Sequence, residues 1–153
     1  MEKMMSPLKT SLICMALIGA ASTVSAQIKV ENAWVRTTVP NQQATGAFMK
    51  ITSVEAVKLT AVSTAVAGVN EVHEMKMEGD VMKMRALPEG LDIPVNTTVE
   101  LKSGGYHLMM MALKQRINSG EAVPIELQFT NAKGQKQTVL VNAKASLNNP
   151  YKP

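Results

Sequence analysis

The chain has 153 residues, of which 46% are hydrophobic, 18% charged and only 3% aromatic. That length suits one domain, and that composition excludes a disordered chain or a collagen-like fibre. The formal net charge of +4 comes without any Lys/Arg run, and one Trp, two Tyr and two Phe offer little for base stacking, so no nucleic-acid partner is expected.

Residues 1–26 read as a cleaved secretory signal peptide. Lys3 and Lys9 form a basic start, and Ser11 to Ala21 is an uncharged, largely apolar run too short to span a bilayer. Val24-Ser25-Ala26 supplies a small-residue cleavage site, so the mature chain is predicted to begin at Gln27. The periplasm is the expected destination, with no stable membrane insertion. The single cysteine, Cys14, lies inside the apolar run, and Ile13 before it is not the small residue that a lipoprotein signal needs. A mature chain without cysteine can form no disulfide, thiolate nucleophile or cysteine–metal bond. Its charge would be 14 basic against 11 acidic residues, or +3.

From residue 27 onward, short β-branched runs alternate with turn signals. Strands are predicted at 28–37, 45–53, 57–64, 70–77, 81–86, 97–102, 107–113, 123–130 and 136–145. Pro40-Asn41, Glu78-Gly79-Asp80, Pro88-Glu89-Gly90, Gly104-Gly105, Asn118-Ser119-Gly120 and Lys133-Gly134 mark the turns. The pattern predicts one all-β domain over 27–146, an immunoglobulin-like Greek-key sandwich or barrel of about eight to nine short strands. Residues 147–153 form a short polar tail, expected to fray.

Methionine is distributed unevenly. Four of the 12 methionines fall in residues 1–26, and seven of the other eight lie between Met75 and Met111. Both histidines, His73 and His107, border the same window. Methionine used only as core filler would be spread over all strands. Met49, outside the window, reads as core. Side chains alternate faces along a strand, so His73, Met75 and Met77 share one face, Met82 and Met84 another, and His107, Met109 and Met111 a third. Met110 points the opposite way. A two-residue Glu78-Gly79 loop would place His73 opposite Met84. A Gly79-Asp80 loop would pair Met75 with Met84 and make His73 its diagonal neighbour. A three-residue loop would break both pairings.

Thioether sulfur is soft and does not titrate, and imidazole is borderline. Without thiolate or carboxylate, this donor set suits Cu(I) far better than Zn(II), Mg(II) or Ca(II). The His₂Cys centre of blue copper is excluded by the missing cysteine. A His₂Met₂ site suits carrying the ion rather than cycling it. Because imidazole must be neutral to ligate, Cu(I) affinity is expected to weaken below about pH 6. Flat affinity from neutral to mildly acidic pH would count against histidine ligation. Met75, Met77, Met82, Met110 and Met111 are expected to form a soft collar that aids docking. Unchanged transfer and affinity after leucine replacement of Met75 and Met77 would remove that idea.

These residues resemble the periplasmic copper chaperone family PCuAC, whose pattern is approximately H-x10-M-x21-H-x-M. His73 and Met84 match the first spacing, and His107-Leu108-Met109 supplies the His-x-Met, with a gap of 22 rather than 21 between the halves. The segments A-W-V-R-T-T-V-P, T-G-A-F-M, V-H-E-M, M-K-M-R and L-K-S-G-G-Y-H-L-M extend the similarity over nearly the whole mature chain. The resemblance implies a cupredoxin-like fold and a Cu(I) site made by His73, Met84, His107 and Met109. Met75, Met77, Met82 and Met111 are secondary candidates. It further implies delivery of copper to a partner such as the CuA subunit of cytochrome c oxidase, alongside a Sco-type protein. Many members carry a His- and Met-rich C-terminal extension. Asn148-Asn149-Pro150-Tyr151-Lys152-Pro153 lacks such ligands, so one copper per monomeric chain is expected. The competing readings are an exported copper storage or tolerance protein and a metal-free β-sandwich interaction module. No Gly-x-Ser-x-Gly elbow, phosphate loop or HExxH motif is present, so no enzyme is expected.

Overall fold

The computed structural model describes residues 27–152. The predicted signal peptide and Cys14 lie outside the described residues. Ten strands follow in order: β1 (Ile28–Arg36), β2 (Ala44–Ser53), β3 (Val57–Ser63), β4 (Ala67–Glu78), β5 (Val81–Ala86), β6 (Leu91–Ile93), β7 (Val99–Leu101), β8 (Tyr106–Leu113), β9 (Ala122–Asn131) and β10 (Lys136–Ser146). All nine predicted strands are present. The tenth, β6, is the short Leu91-Asp92-Ile93 segment between Gly90 and Pro94.

The strands join in one mixed sheet with the order β5-β4-β8-β2-β1-β10-β9-β3-β6, and β7 pairs with the far end of β2. Only β1–β10 is parallel among the named strand pairs. The sheet folds over on itself, so that β3 and β4, distant along the path, meet across a single core. Alternate residues of each strand enter that core: Ala47, Met49 and Ile51 from β2, Leu108 and Met110 from β8, Ile125, Leu127 and Phe129 from β9. Two glycine-bearing turns fix the registers nearest the histidines. Gly79 has φ +63° and Gly104 φ +82°, both in the left-handed region that glycine enters without a Cβ clash.

The loop is Gly79-Asp80, one of the two two-residue loops that the sequence leaves open beside a three-residue one. Glu78 pairs with Val81, Met77 with Met82, and Met75 with Met84. His73 stands opposite Ala86 and is therefore the diagonal neighbour of Met84. Glycine as the first of two loop residues, with positive φ there, is the pattern of a type II′ hairpin turn.

The tail beyond β10 turns back along the body. The Tyr151 hydroxyl donates to the Ala33 carbonyl at 3.4 Å.

Candidate metal centre

Three adjacent strands, β4, β8 and β2, carry the site on their outer face, the one turned away from the core. On the inner face Val72, Leu108, Met110 and Ala47 are buried together. One residue along each strand, the side chains emerge on the other side. There β4 presents Glu71, His73 and Met75, β8 presents His107 and Met109, and β2 presents Gly46 and Phe48.

The long-range pairing brings the two histidines side by side. His73 is the direct cross-strand partner of His107, and Glu71 that of Met109. Their imidazole centroids are 5.8 Å apart with the planes at 62°. Gly46 of β2 faces Met109 from the other edge of β8. Met84 reaches the group from β5 through its pairing with Met75.

Both histidines are buried although they leave the core side of the sheet, with 9% of His73 and 7% of His107 exposed. Beside His107 lies an outer-face aromatic layer. Trp34 and Phe48 stack with centroids 4.6 Å apart, are themselves buried, and stand outside the main core cluster. The Arg36 guanidinium lies over the Phe48 ring at 5.6 Å. Gly46 makes room for that ring, because a Cβ there would stand 3.0 Å from Phe48 Cζ. Arg36, Gly46, Phe48, Met75, His107 and Met109 line a pocket of about 260 Å³.

Hydrogen bonds assign one nitrogen of each ring. His73 Nε2–H donates to Glu71 Oε2 at 2.7 Å. That leaves the lone pair on Nδ1, which is buried and has no hydrogen-bond partner. His107 Nδ1–H donates to the Gly105 carbonyl at 3.1 Å, leaving the lone pair on Nε2. The same carbonyl accepts the Met75 backbone N–H at 3.1 Å. Buried polar atoms are normally satisfied, so an orphaned imidazole nitrogen beside a second imidazole marks a place for an electrophile. A carboxylate or carbonyl behind a metal-binding imidazole fixes its tautomer and raises its basicity, and both rings here have one.

Among the described residues no group of three or more His, Cys, Asp or Glu side chains converges to hold a metal. The available donors are two imidazoles and thioethers, a set that fits a soft monovalent ion.

The structure brings together His73, His107 and Met109, with Met75 and Met84 at the edge. Met77 and Met82 lie further out along the hairpin. Met111 sits two residues beyond Met109, opposite Val69 on one side and Ala44 on the other. Met110 is fully buried in the core and cannot belong to a docking collar. Its alternation with Met109 and Met111 is the reason. Met49 is core as expected, at 2% exposure. Sequence reasoning missed Glu71, Arg36, Gly46 and the Trp34–Phe48 stack. The signal for Glu71 was its position two residues before His73, on the same face.

The family described as "Putative lipoprotein LpqE-like" matches residues 28–142. This is the PCuAC family, and the chain belongs to it. The PCuAC resemblance in the sequence is thereby established, and so is the all-β fold. The chain is 25% identical over 125 residues to "Putative lipoprotein Lxx21020" of Leifsonia xyli, covering 82% of this chain and 75% of that one. The solution structure of CuI-DR1885 from Deinococcus radiodurans is 27% identical, with a TM-score of 0.60 over 86% of this chain and 84% of its own. A copper-bound PCuAC domain from PmoF2 shares the fold at 18% identity, with a TM-score of 0.58 over 78% and 93% of the two chains.

Proposed function

We propose that this chain is an exported Cu(I) carrier that holds one ion on His73, Met84, His107 and Met109 and passes it to a partner protein. The observation that carries the reading is the His73–His107 pair. Two buried imidazoles face each other on the outer face of a sheet, one with an orphaned Nδ1, and methionines border them. The Cu(I)-loaded relative from Deinococcus and the copper-bound PmoF2 domain support the choice of metal.

Cu(I) has a filled d shell and tolerates two to four soft or borderline donors. Neutral imidazole nitrogens supply affinity, and thioethers supply softness without a proton to lose. Glu71 and the Gly105 carbonyl hold the rings so that the two free lone pairs stay available. Met84 is 52% exposed, so an incoming ligand can displace it before the buried histidines let go. Release by stepwise ligand exchange is what a carrier requires. The CuA subunit of cytochrome c oxidase, with a Sco-type protein, is the proposed recipient.

Export follows in this reading from cleavage after Ala26 and placement in the periplasm. The lipoprotein descriptions belong to the family and the Leifsonia relative. Ile13 before Cys14 favours a cleaved signal here.

The test is an anaerobic Cu(I) titration of the chain from Gln27 against a chromogenic chelator, with His73→Ala, Met84→Ala, His107→Ala and Met109→Ala run beside it. One tight equivalent, weakened in each variant, is expected. Failure to retain copper against a weak competitor would end the carrier reading.

A further inference from the structure

The β4–β5 hairpin projects beyond the body. All six residues of β5 are exposed, as are Lys76, Met77 and Glu78 at the end of β4. Its two faces differ completely. One carries charge: Arg85 binds Glu74 at 2.7 Å, and Lys83 binds Glu78 at 2.6 Å and so offsets its cross-strand neighbour Lys76. The other carries sulfur alone, as the pairs Met77–Met82 and Met75–Met84, and it runs directly into His73.

Register makes these pairs close. In a two-residue hairpin the residues flanking the loop form a hydrogen-bonded pair, here Glu78–Val81. Pairs then alternate, so Met77–Met82 and Met75–Met84 are both non-hydrogen-bonded pairs. In these the Cα atoms approach to about 4.5 Å and side chains are nearest. Successive pairs on one face are about 7 Å apart along the strands. That distance suits methionine, with three rotatable bonds and a polarisable sulfur.

Stability does not account for this composition. Met77 and Met82 are 53% and 46% exposed, so neither fills a core. Strand preference favours β-branched and aromatic residues over methionine. Between the hairpin tip and His73 that face carries no acidic or imidazole side chain, so the exposed thioether pair offers a soft, uncharged, aprotic donor set.

We propose that Met77 and Met82 form an outer, weaker Cu(I) site, from which the ion moves through Met75 and Met84 to the histidine pair. This deepens the carrier reading and rests on it for the destination of the ion. At each step along the hairpin one Cu–S bond forms as another breaks, and at the last step bonds from copper to the free nitrogens of His73 and His107 form as Cu–S bonds to the hairpin break. Copper stays Cu(I) throughout, no electron is exchanged, and no proton moves because thioethers carry none. Departure follows the same route in reverse, which puts the hairpin tip first in line for a recipient's ligands.

The test is an anaerobic Cu(I) titration of the chain from Gln27 with its methionine methyl groups labelled with ¹³C, followed by NMR. A Met77→Leu/Met82→Leu variant is treated in parallel. The first equivalent is expected to shift the methyls of Met84 and Met109, and the second those of Met77 and Met82. The double variant should lose the second phase, keep the affinity of the first, and load more slowly from a small-molecule Cu(I) donor. Methyls of Met77 and Met82 unmoved through the second equivalent would overturn the outer site. A variant that loads as fast as the parent would overturn the path. If the first equivalent moves no resonance near His73 and His107 while Met77 and Met82 still shift, the outer site stands and the carrier reading falls instead.

Discussion

Met110 and Met109 are neighbours in sequence on β8, yet they occupy opposite worlds. Met110 enters the inner face, is fully buried, and packs with Leu108 and Val72 in the main core. Met109 emerges on the outer face beside His107 and opposite Glu71. Met49 repeats the first environment and Met84 the second. The side chain is the same in all four, so the face of the sheet decides whether its sulfur serves as hydrocarbon-like filler or as a donor atom. A region rich in one residue type thus has two functions interleaved at a period of two.

The sharpest way to break this contrast is to remove a methionine from each face. Met110→Ala should lower the free energy of unfolding by about 2–5 kcal/mol, the usual cost of a large-to-small change in a core. Its copper affinity should be unchanged in the folded fraction. Met84→Ala should change stability by less than about 0.5 kcal/mol, as for an exposed site. Urea unfolding of both variants decides the matter, and similar losses would erase the distinction.

Next in size is His107→Ala, for which Cu(I) affinity should weaken about 100-fold or more, equivalent to roughly 2.7 kcal/mol. A chelator competition measures it. If copper binding survived and only stability fell, the outer face would be a second core rather than a metal centre.

A smaller effect is expected from Glu71→Gln, which keeps the shape but removes the charge behind His73 Nε2. Loss of such a partner weakens metal affinity by about 10–100-fold, and the isosteric change should fall at the low end. The same competition assay reports it, with His107→Ala as the upper bound.

Smallest should be Gly46→Ala. The added Cβ would crowd Phe48, whose ring is stacked on Trp34 and lies under the Arg36 guanidinium, so a shift of the ring disturbs that layer. A few-fold loss of affinity is expected, together with a change in Trp34 fluorescence. An unchanged spectrum would mean that the aromatic layer does not sense the floor of the pocket.

Much of the architecture was legible because it is local. Alternation of polar and apolar residues located nine strands, and the Gly-containing turns separated them. Leu91–Ile93 escaped because a three-residue strand between Gly90 and Pro94 is too short to show a period. β4 starts at Ala67, earlier than predicted, because Gly68 interrupts the β-favouring pattern there. The hairpin register was open between two two-residue loops and a three-residue loop, and the Gly79-Asp80 turn selects one of the three.

The centre was only half legible. Face assignments within each strand placed His73 with Met75 and His107 with Met109. Which strand lies against β4 on its other edge is a non-local choice, so the His73–His107 contact could not be read from spacing. For the same reason Trp34 and Phe48 gave no hint that they cover the outer face. Their contribution depends on β1, β2 and β8 being neighbours.

One consequence follows from where the hairpin leaves the body. Its base belongs to the cooperative unit, since His73 pairs with β8 over a buried Val72, while β5 contributes no buried residue. Amide exchange protection should therefore fall steadily from His73 towards Asp80, with opening free energies well below that of global unfolding. The proposed centre straddles that gradient, with both imidazoles on the rigid side and Met84 on the fraying side. A local opening that detaches Met84 leaves the fold intact, so the chain can loosen its hold on cargo without approaching denaturation.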